Sequence, residues 1–119
     1  MKPKLNILLL AMIGMLIVPV TSKDVLAQSG IASVYSSREG TTTASGVKLD
    51  DNALTAAHRS LPFGTKLKVT NQNNGRSVVV RVNDRGPFVR GRMLDVSLAA
   101  AKQLGFIASG HTAVCADKL

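Results

Sequence analysis

Polar and hydrophobic residues alternate in several short segments after residue 27, and this pattern predicts short strands. Alternation over about four to eight residues is typical of a strand with one buried face. Asn74-Gly75 separates two of these segments, and an Asn-Gly pair strongly favours a β-hairpin because both turn positions tolerate positive φ. The segments predicted as strands are residues 30–36, 66–70, 77–83 and 111–116.

Two further segments carry helical signals. Residues 97–104 are rich in alanine, with Ser97 as the expected N-cap and Gly105 as the expected stop. Residues 52–58 predict one or two helical turns, and residues 41–46 predict a loop or a short edge strand. Short strands with one or two short helices, in a chain this small, predict a mainly β fold, a compact β-barrel.

The N-terminal segment has a different pattern. Lys2 and Lys4 precede an apolar run over residues 5–20, and small and polar residues follow it. This arrangement is typical of a secretory signal peptide, with cleavage expected after Ala27 or Ser22. We therefore expect a signal peptide over residues 1–27, one domain over residues 28–119, and export to the periplasm or cell envelope. An uncleaved membrane anchor is the alternative.

The charge balance indicates which partners the domain binds. The 119 residues contain 15 Lys and Arg against 7 Asp and Glu, a net charge of +8. Removing residues 1–27 takes away three lysines and one aspartate, which lowers the charge to +6. A basic exported domain predicts anionic partners such as wall polymers, phospholipid head groups or acidic glycans. Nucleic acid is not expected, because the few aromatic residues are not interleaved with basic ones.

Cysteine and histidine suggest neither a disulfide nor a cofactor. Cys115 is the single cysteine, so we expect a small buried residue there, with pairing to another chain as the alternative. His58 and His111 lie far apart without clustered partners, so no metal site is predicted. His111 is interpreted as a residue on a strand surface, and the domain is expected to be a monomer.

The segment VVVRVNDRGPFVRGRMLDVS, residues 78–97, gathers charged side chains around a Gly-Pro pair. Residues of equal parity share a face of a strand, so Asp84 is predicted to continue the valine face and to emerge where the strand ends. A partly buried carboxyl in that position suits proton transfer, although the neighbouring arginines favour its ionised form. The alternative is that Asp84 caps the Gly86-Pro87 turn.

Four motifs cover nearly the whole domain: TASG from Thr43, LTAAHRSLPFGTKLKVTN from Leu54, NGRSVVVRVNDRGPFVRGRMLDVS from Asn74 and AAAKQLGF from Ala99. Together they resemble the rare lipoprotein A family, the septal-ring lytic transglycosylases of bacterial envelopes. The resemblance implies a six-stranded double-psi β-barrel, the barrel also found in expansins. It also implies peptidoglycan as the substrate, in particular glycan strands stripped of their stem peptides, with divisome or envelope proteins as further candidate partners.

The resemblance also implies roles for individual residues. The acidic catalytic residue of the NDRGP motif falls on Asp84, and the active-site histidine of the TAAHR motif falls on His58. The aspartate that matters for wall activity in expansin-like relatives falls on Asp95. Arginines of the charged segment are expected to hold the carboxylates of peptidoglycan. The expected substrate-binding residues are Asp95, Arg85, Arg90, Arg92, Tyr35 and Asn83.

Two positions depart from the family pattern. Val47 stands where the family usually carries a glutamate, and valine cannot move a proton, so that role is lost unless Glu39 or Asp50 reaches the site. A lipoprotein needs a cysteine at its cleavage site, and none precedes Cys115, so we expect a protein without a lipid anchor.

Three functions follow from these observations. The first is a lytic transglycosylase that cleaves glycan strands to 1,6-anhydro-muramic acid ends. Because the sugar's own hydroxyl attacks, one group can serve as acid and then as base, and Asp84 can be that group. The second is a non-catalytic, expansin-like module that binds or loosens the wall. The third is a protein-binding domain.

Overall fold

The computed structural model describes residues 27–35 and 40–119, and in them the chain forms a closed barrel of six strands with one helix. The predicted signal peptide, apart from Ala27, and Glu39 lie outside the described residues. The elements are β1 (Ala27–Val34), β2 (Thr55–Ala57), β3 (Lys66–Asn71), β4 (Ser77–Asp84), β5 (Arg92–Val96), α1 (Leu98–Leu104) and β6 (His111–Lys118).

The barrel is mixed, with its strands in the order β1-β5-β2-β4-β3-β6. β1 runs parallel to β5, and β2 runs parallel to β4, whereas the other neighbours are antiparallel. The short strand β2 therefore lies between β4 and β5, which the chain itself joins by one loop. This placement brings the end of β2 beside the charged segment.

The alternation along β3, β4 and β6 fills the barrel interior with small branched side chains. The burial of β4 alternates from Ser77 to Asp84, with every second residue buried, as the sequence predicts. Each buried valine or leucine contributes about 1.5–3 kcal/mol relative to an exposed one. The core joins strands and helix, and it contains Ala32, Ala56, Leu67, Val69, Val78, Val80, Val82, Leu94, Val96, Ala100, Ala101, Leu104, Phe106, Val114 and Ala116.

The ends of α1 are those that the sequence predicts. The hydroxyl of Ser97 accepts a hydrogen bond from the N–H of Ala100 at 3.2 Å, which satisfies one of the free donors of the first turn. Gly105 adopts φ 78° and its N–H closes the last turn onto Ala101 and Lys102.

The predicted β3–β4 hairpin is present, but its loop is wider than a two-residue turn. Thr70 and Ser77 form the last pair of the ladder, and Gly75 has φ 79°. The buried side chain of Asn71 shapes the loop, because its Nδ2 donates to the carbonyl of Leu104 and its Oδ1 accepts from Asn73 N. The hairpin is thus attached to the C-terminal end of α1.

The structure corrects two predictions and adds one strand that the sequence did not predict. Thr55–Ala57 form strand β2 rather than helical turns, because Ala56 pairs with Val82 on one side and Val96 on the other, and pairing on both edges outweighs the helix propensity of alanine. Residues 92–96 form strand β5, which the sequence analysis assigned to the charged segment. Cys115 is half-buried, because the residues that point inward from β6 are its neighbours Val114 and Ala116.

Two simpler findings complete the fold. His111 is exposed at the start of β6, as predicted. Within residues 27–35 and 40–119, no helix has the length and hydrophobicity needed to span a membrane.

Candidate functional site

Two aspartates flank Ala57 at the same level of the sheet. Ala57 pairs with Asp84 of β4 on one side and with Asp95 of β5 on the other. Residues paired across neighbouring strands project to the same face. Adjacent strands lie about 4.8 Å apart, so the Cα atoms of the two aspartates are separated by roughly 10 Å. Residues eleven positions apart in the sequence thereby face the same side.

An irregularity in β4 sets the direction of Asp84. Ala56 pairs with Val82 but Ala57 pairs with Asp84, so Asn83 is an extra residue that shifts the register, as in a β-bulge. The shift moves Asp84 from the row of inward valines to the row of Ala57. Ala57 packs with Tyr35 and Leu49, a small cluster separate from the barrel core. The predicted burial of Asp84 is confirmed, but simple alternation places it on the wrong face.

The carboxylate of Asp84 is held in place by backbone donors from two segments. It is 5% exposed, and its Oδ1 accepts from the N–H of Ala44 at 2.8 Å and of Arg85 at 2.9 Å. The contact with Arg85 is to the next residue of the chain, just before the Gly86-Pro87 turn. The contact with Ala44 is different, because it ties the 40–49 loop (residues 40–49) onto the end of β4.

The 40–49 loop forms a tight turn, and Val47 lies at its exposed edge. The N–H and the hydroxyl of Thr43 both donate to the carbonyl of Val47, at 2.9 and 2.6 Å, and Gly46 has φ 94°. The side chain of Val47 is 59% exposed, so a longer side chain has space there. Asp50 is also exposed and bonds to the N–H of Asn52 at 2.8 Å, so its carboxylate is engaged in its own turn.

His58 is a buried, neutral imidazole whose tautomer follows from its partners. Its Nδ1 accepts from the N–H groups of Ser60 and Leu61, both at 3.1 Å, so Nδ1 carries no proton. Its Nε2 therefore carries the proton and donates to Gln28 Oε1 at 3.1 Å. Burial lowers the pKa of His58, and the nearby positive charges of Arg85 and Arg59 lower it further. The ring is thus a hydrogen-bond donor near neutral pH.

A cleft of about 550 Å³ opens beside His58, and neither Asp84 nor Asp95 is among its lining residues. This volume is within the usual range for small-ligand sites. Gly30 is required in its wall, because a Cβ there would approach the Cβ of Met93 to 2.8 Å. The cleft is lined by Gln28, Ser29, Gly30, His58, Arg59, Ser60, Gly91, Arg92 and Met93.

Of the residues expected to bind substrate, only Arg92 lines this cleft, and the others differ in burial. Asp95 is half-buried and accepts a hydrogen bond from the hydroxyl of Ser33. Tyr35 is 4% exposed and its hydroxyl bonds to Thr55 at 2.7 Å, so its side chain is buried beside Ala57. Among the described residues, Asn83 Oδ1 is buried without a hydrogen-bond partner.

The three arginines expected to bind substrate also differ in burial and in their contacts. The guanidinium of Arg85 stacks over the ring of Phe63, 4.1 Å from its centroid, and donates to the carbonyl of His58 at 3.3 Å. Arg92 lines the cleft, whereas Arg90 is exposed at the tip of the β4–β5 loop (residues 85–91). The substrate-binding roles of these residues stay predictions.

Sequence reasoning missed three residues of the site: Ser33, Gln28 and Arg59. Ser33 and Gln28 reach Asp95 and His58 only through the parallel pairing of β1 with β5 and the closure of the barrel. Arg59 donates to three carbonyls of the charged segment. No local pattern gives these partners, although Arg59 is the last residue of the TAAHR motif.

The comparisons with known proteins agree with this architecture. The model of a family described as "Lytic transglycolase" matches residues 27–116. The chain is 58% identical over 88 residues to a probable endolytic peptidoglycan transglycosylase RlpA of Nostoc sp., covering 71% of this chain and 24% of that protein. It is 50% identical over 93 residues to the endolytic peptidoglycan transglycosylase RlpA of Pasteurella multocida, covering 76% and 32%. The chain thus spans about a quarter to a third of these relatives.

Solved structures share the barrel. Streptomyces papain inhibitor superposes with a TM-score of 0.63 at 22% identity, covering 78% of this chain and 94% of that one. Apo expansin of Clavibacter michiganensis gives a TM-score of 0.63 at 26% identity, covering 78% and 50%. From the matched residues and the shared barrel, the chain belongs to the RlpA-like lytic transglycolase family, with the double-psi β-barrel fold that its sequence implies.

Proposed function

We propose that this chain cleaves the glycan strands of peptidoglycan as a lytic transglycosylase, with Asp84 as the acid and base. The observation that carries the proposal is the position of Asp84: a buried carboxylate held by Ala44 and Arg85, paired through Ala57 at the level of Asp95. The carbonyl of Asp84 also accepts from the N–H of His58 at 3.1 Å. The relatives named endolytic peptidoglycan transglycosylase support the choice of substrate.

The reaction needs one proton-transfer group and no water. In its protonated form Asp84 gives its proton to the glycosidic oxygen as the bond from C1 to that oxygen breaks. The 6-hydroxyl of the same muramic acid then bonds to C1, and its proton passes to Asp84, which restores the acid. Attack within one sugar has a high effective molarity, so the protein need not bind a second reactant. A positioned acid–base group contributes about 10²–10⁴ in rate.

The neighbouring residues orient the sugar in this scheme. Asp95, held by Ser33, offers carboxylate oxygens to sugar hydroxyls on the face that it shares with Asp84. His58 offers its Nε2 proton to a ligand that displaces Gln28. We expect Arg92 in the cleft wall and the exposed Arg90 at the loop tip to bind the lactyl carboxylates of the glycan.

An Asp84→Asn variant tests the proposal. An asparagine oxygen can still accept from Ala44 and Arg85, so the loop contact is retained while proton transfer is lost. We expect release of 1,6-anhydro products from denuded sacculi to fall at least about 10²-fold, with the barrel intact. The matched control is Asp50→Asn, which removes an exposed carboxylate engaged in its own turn. Undiminished cleavage by Asp84→Asn would overturn the assignment.

A second function is favoured by one specific observation. The exposed Val47 occupies the place of the usual glutamate, next to the contact between Ala44 and Asp84. A variant of the Clavibacter expansin, solved in complex with cellohexaose, shares this barrel with a TM-score of 0.62 at 25% identity. A non-catalytic module that binds glycan would sediment with sacculi in a pull-down but would release no 1,6-anhydro product. This pair of results distinguishes the two functions.

A further inference from the structure

The side chain of Arg59 connects two segments of the site that are far apart in the sequence. Arg59 follows His58 directly at the end of β2, and its guanidinium reaches three carbonyls in and just after the β4–β5 loop. The acceptors are Pro87 at 2.8 Å from Nε, and Val89 at 3.2 Å and Arg92 at 3.0 Å, both from Nη2.

The geometry of these bonds requires an arginine. A guanidinium presents five N–H donors in a rigid plane, so it can satisfy carbonyls that lie side by side around it. An ammonium group is a single point on a flexible stem and cannot reach the positions of Nε and Nη2 together. Bonds from a charged donor are stronger than those between neutral groups, although solvent weakens them at an exposed residue such as Arg59.

The β4–β5 loop has reason to need such an attachment. Phe88 and Val89 at its tip are 78% and 52% exposed, so they contribute little packing. At the end of the loop, the N–H of Arg92, the first residue of β5, bonds to the carbonyl of Val89 at 3.1 Å. Toward β1, the carbonyl of Gly91 accepts from Ile31 at the long distance of 3.4 Å. The bonds from Arg59 are shorter than this last one, and they attach the segment at three points, Pro87, Val89 and Arg92.

We propose that Arg59 is a positioning residue for the cleft, which holds the β4–β5 loop against the end of β2 and so fixes Arg92 in the cleft wall and Arg90 at the loop tip. Its effect on cleavage rests on the proposed function, but its effect on the loop does not. Arg59 acts through the loop and does not transfer a proton.

Three variants separate the fork of hydrogen bonds from the positive charge. Arg59→Gln removes both, Arg59→Lys keeps the charge without the fork, and Arg81→Gln is the control. Arg81 is exposed on β4 and makes one long contact, 3.5 Å to the carbonyl of Gly64. Since Arg59 is itself exposed, all three variants should fold.

The first measurement is of the loop alone, by NMR. In Arg59→Gln and Arg59→Lys we expect the order parameters of residues 88–91 to fall from about 0.85 to below about 0.6. We also expect the amide of Arg92 to exchange at least about tenfold faster, because its partner Val89 is released. Arg81→Gln should match the wild type. An unchanged loop in both Arg59 variants would overturn the proposal, whatever the activity.

The second measurement is of the KM and kcat for denuded glycan. A loose loop should raise KM at least about tenfold and change kcat less, because Asp84 and its two backbone donors are untouched. Equal KM values despite a mobile loop would contradict the positioning role. If the wild type binds glycan but does not cleave it, the proposed function fails, and the Kd for glycan replaces KM in the same comparison.

Discussion

At the scale of single residues, the site depends on which side chains are fixed by backbone partners. Asp84 bonds to an N–H group of the 40–49 loop, and His58 bonds to two N–H groups of its own turn, which gives each a defined orientation and His58 a defined tautomer. Asp95 is fixed by a side chain instead, that of Ser33. The side chain of Val47, in contrast, is exposed to solvent at the edge of the 40–49 loop.

Replacing Val47 with glutamate tests whether the missing carboxylate limits activity. The side chain is exposed, so Val47→Glu should change the free energy of unfolding by no more than about 0.5 kcal/mol. We expect release of 1,6-anhydro products from denuded sacculi to rise, by up to about 10²-fold if the new carboxylate assists Asp84.

The matched control for this gain is Val79→Glu. Val79 is also an exposed valine, 42% accessible, but it lies in the middle of β4. A gain from both substitutions would indicate a general effect of negative charge. No gain from Val47→Glu, with the barrel intact, would mean that the site works without that carboxylate or that it does not cleave glycan.

The lowered pKa of His58 makes stability depend on pH in a defined direction. The folded ring resists protonation, whereas the unfolded chain takes up a proton near the ordinary pKa of about 6.5. The unfolded state therefore binds more protons below that pH, and the free energy of unfolding should decrease as the pH falls from about 7 to 5. Urea unfolding at several pH values measures this decrease.

The controls for this pH dependence are the two histidine variants. His58→Gln should remove the part of the decrease that begins near neutral pH, whereas His111→Gln, at an exposed position, should retain it. A wild-type stability that is flat from pH 7 to 5.5 would contradict the assignment of a buried neutral imidazole at residue 58.

At the scale of elements, the sequence predicts those whose signals are local. The alternation in β3 and β4, the Asn-Gly hairpin and the caps of α1 are written in consecutive residues, and the structure confirms them. β2 could not be predicted in this way, because Ala56 becomes a strand residue only through its pairs Val82 and Val96. The register shift at Asn83 is likewise a property of two paired strands, so alternation in β4 alone could not locate the face of Asp84.

The attachment of the hairpin to α1 leads to a prediction for Asn71. Its buried side chain donates to Leu104 O and accepts from Asn73 N and Thr112 Oγ1. Asn71→Ala removes these bonds. The carbonyl of Leu104 keeps its bond from Asn74 Nδ2 at 3.0 Å, whereas the buried hydroxyl of Thr112 loses its acceptor, and a buried unsatisfied group costs about 1–3 kcal/mol. We expect the free energy of unfolding to fall by several times the change caused by Gln72→Ala, an exposed neighbour in the same loop. Similar values for the two variants in urea unfolding would show that the contact is dispensable.

At the scale of the whole molecule, barrel closure assembles a site that no single segment contains. Residues from β1, β2, β4 and β5 meet at Ala57 because two parallel pairs interlock within one sheet. The composition predicts only a basic exported domain, and local patterns predict only short strands. The six-stranded topology and the roles of Asp84, His58 and Asp95 entered through the family motifs, because long-range pairing leaves no mark that local spacing can show.

The start of β1 bears on the proposed export and cleavage of the chain. Ala27 opens β1 and pairs with Asp117, and the next residue, Gln28, accepts from His58. Cleavage after Ser22 leaves all of β1 in the product. Cleavage after Ala27 removes only the first residue of β1, which is exposed, so both products keep the contact between Gln28 and His58. Intact-mass measurement of the exported protein should give a chain beginning at residue 23 or 28. A charge within the apolar run, as in Leu9→Arg, should leave the full-length chain inside the cell. An exported protein that retains residues 1–20 would refute cleavage and favour the membrane-anchored alternative.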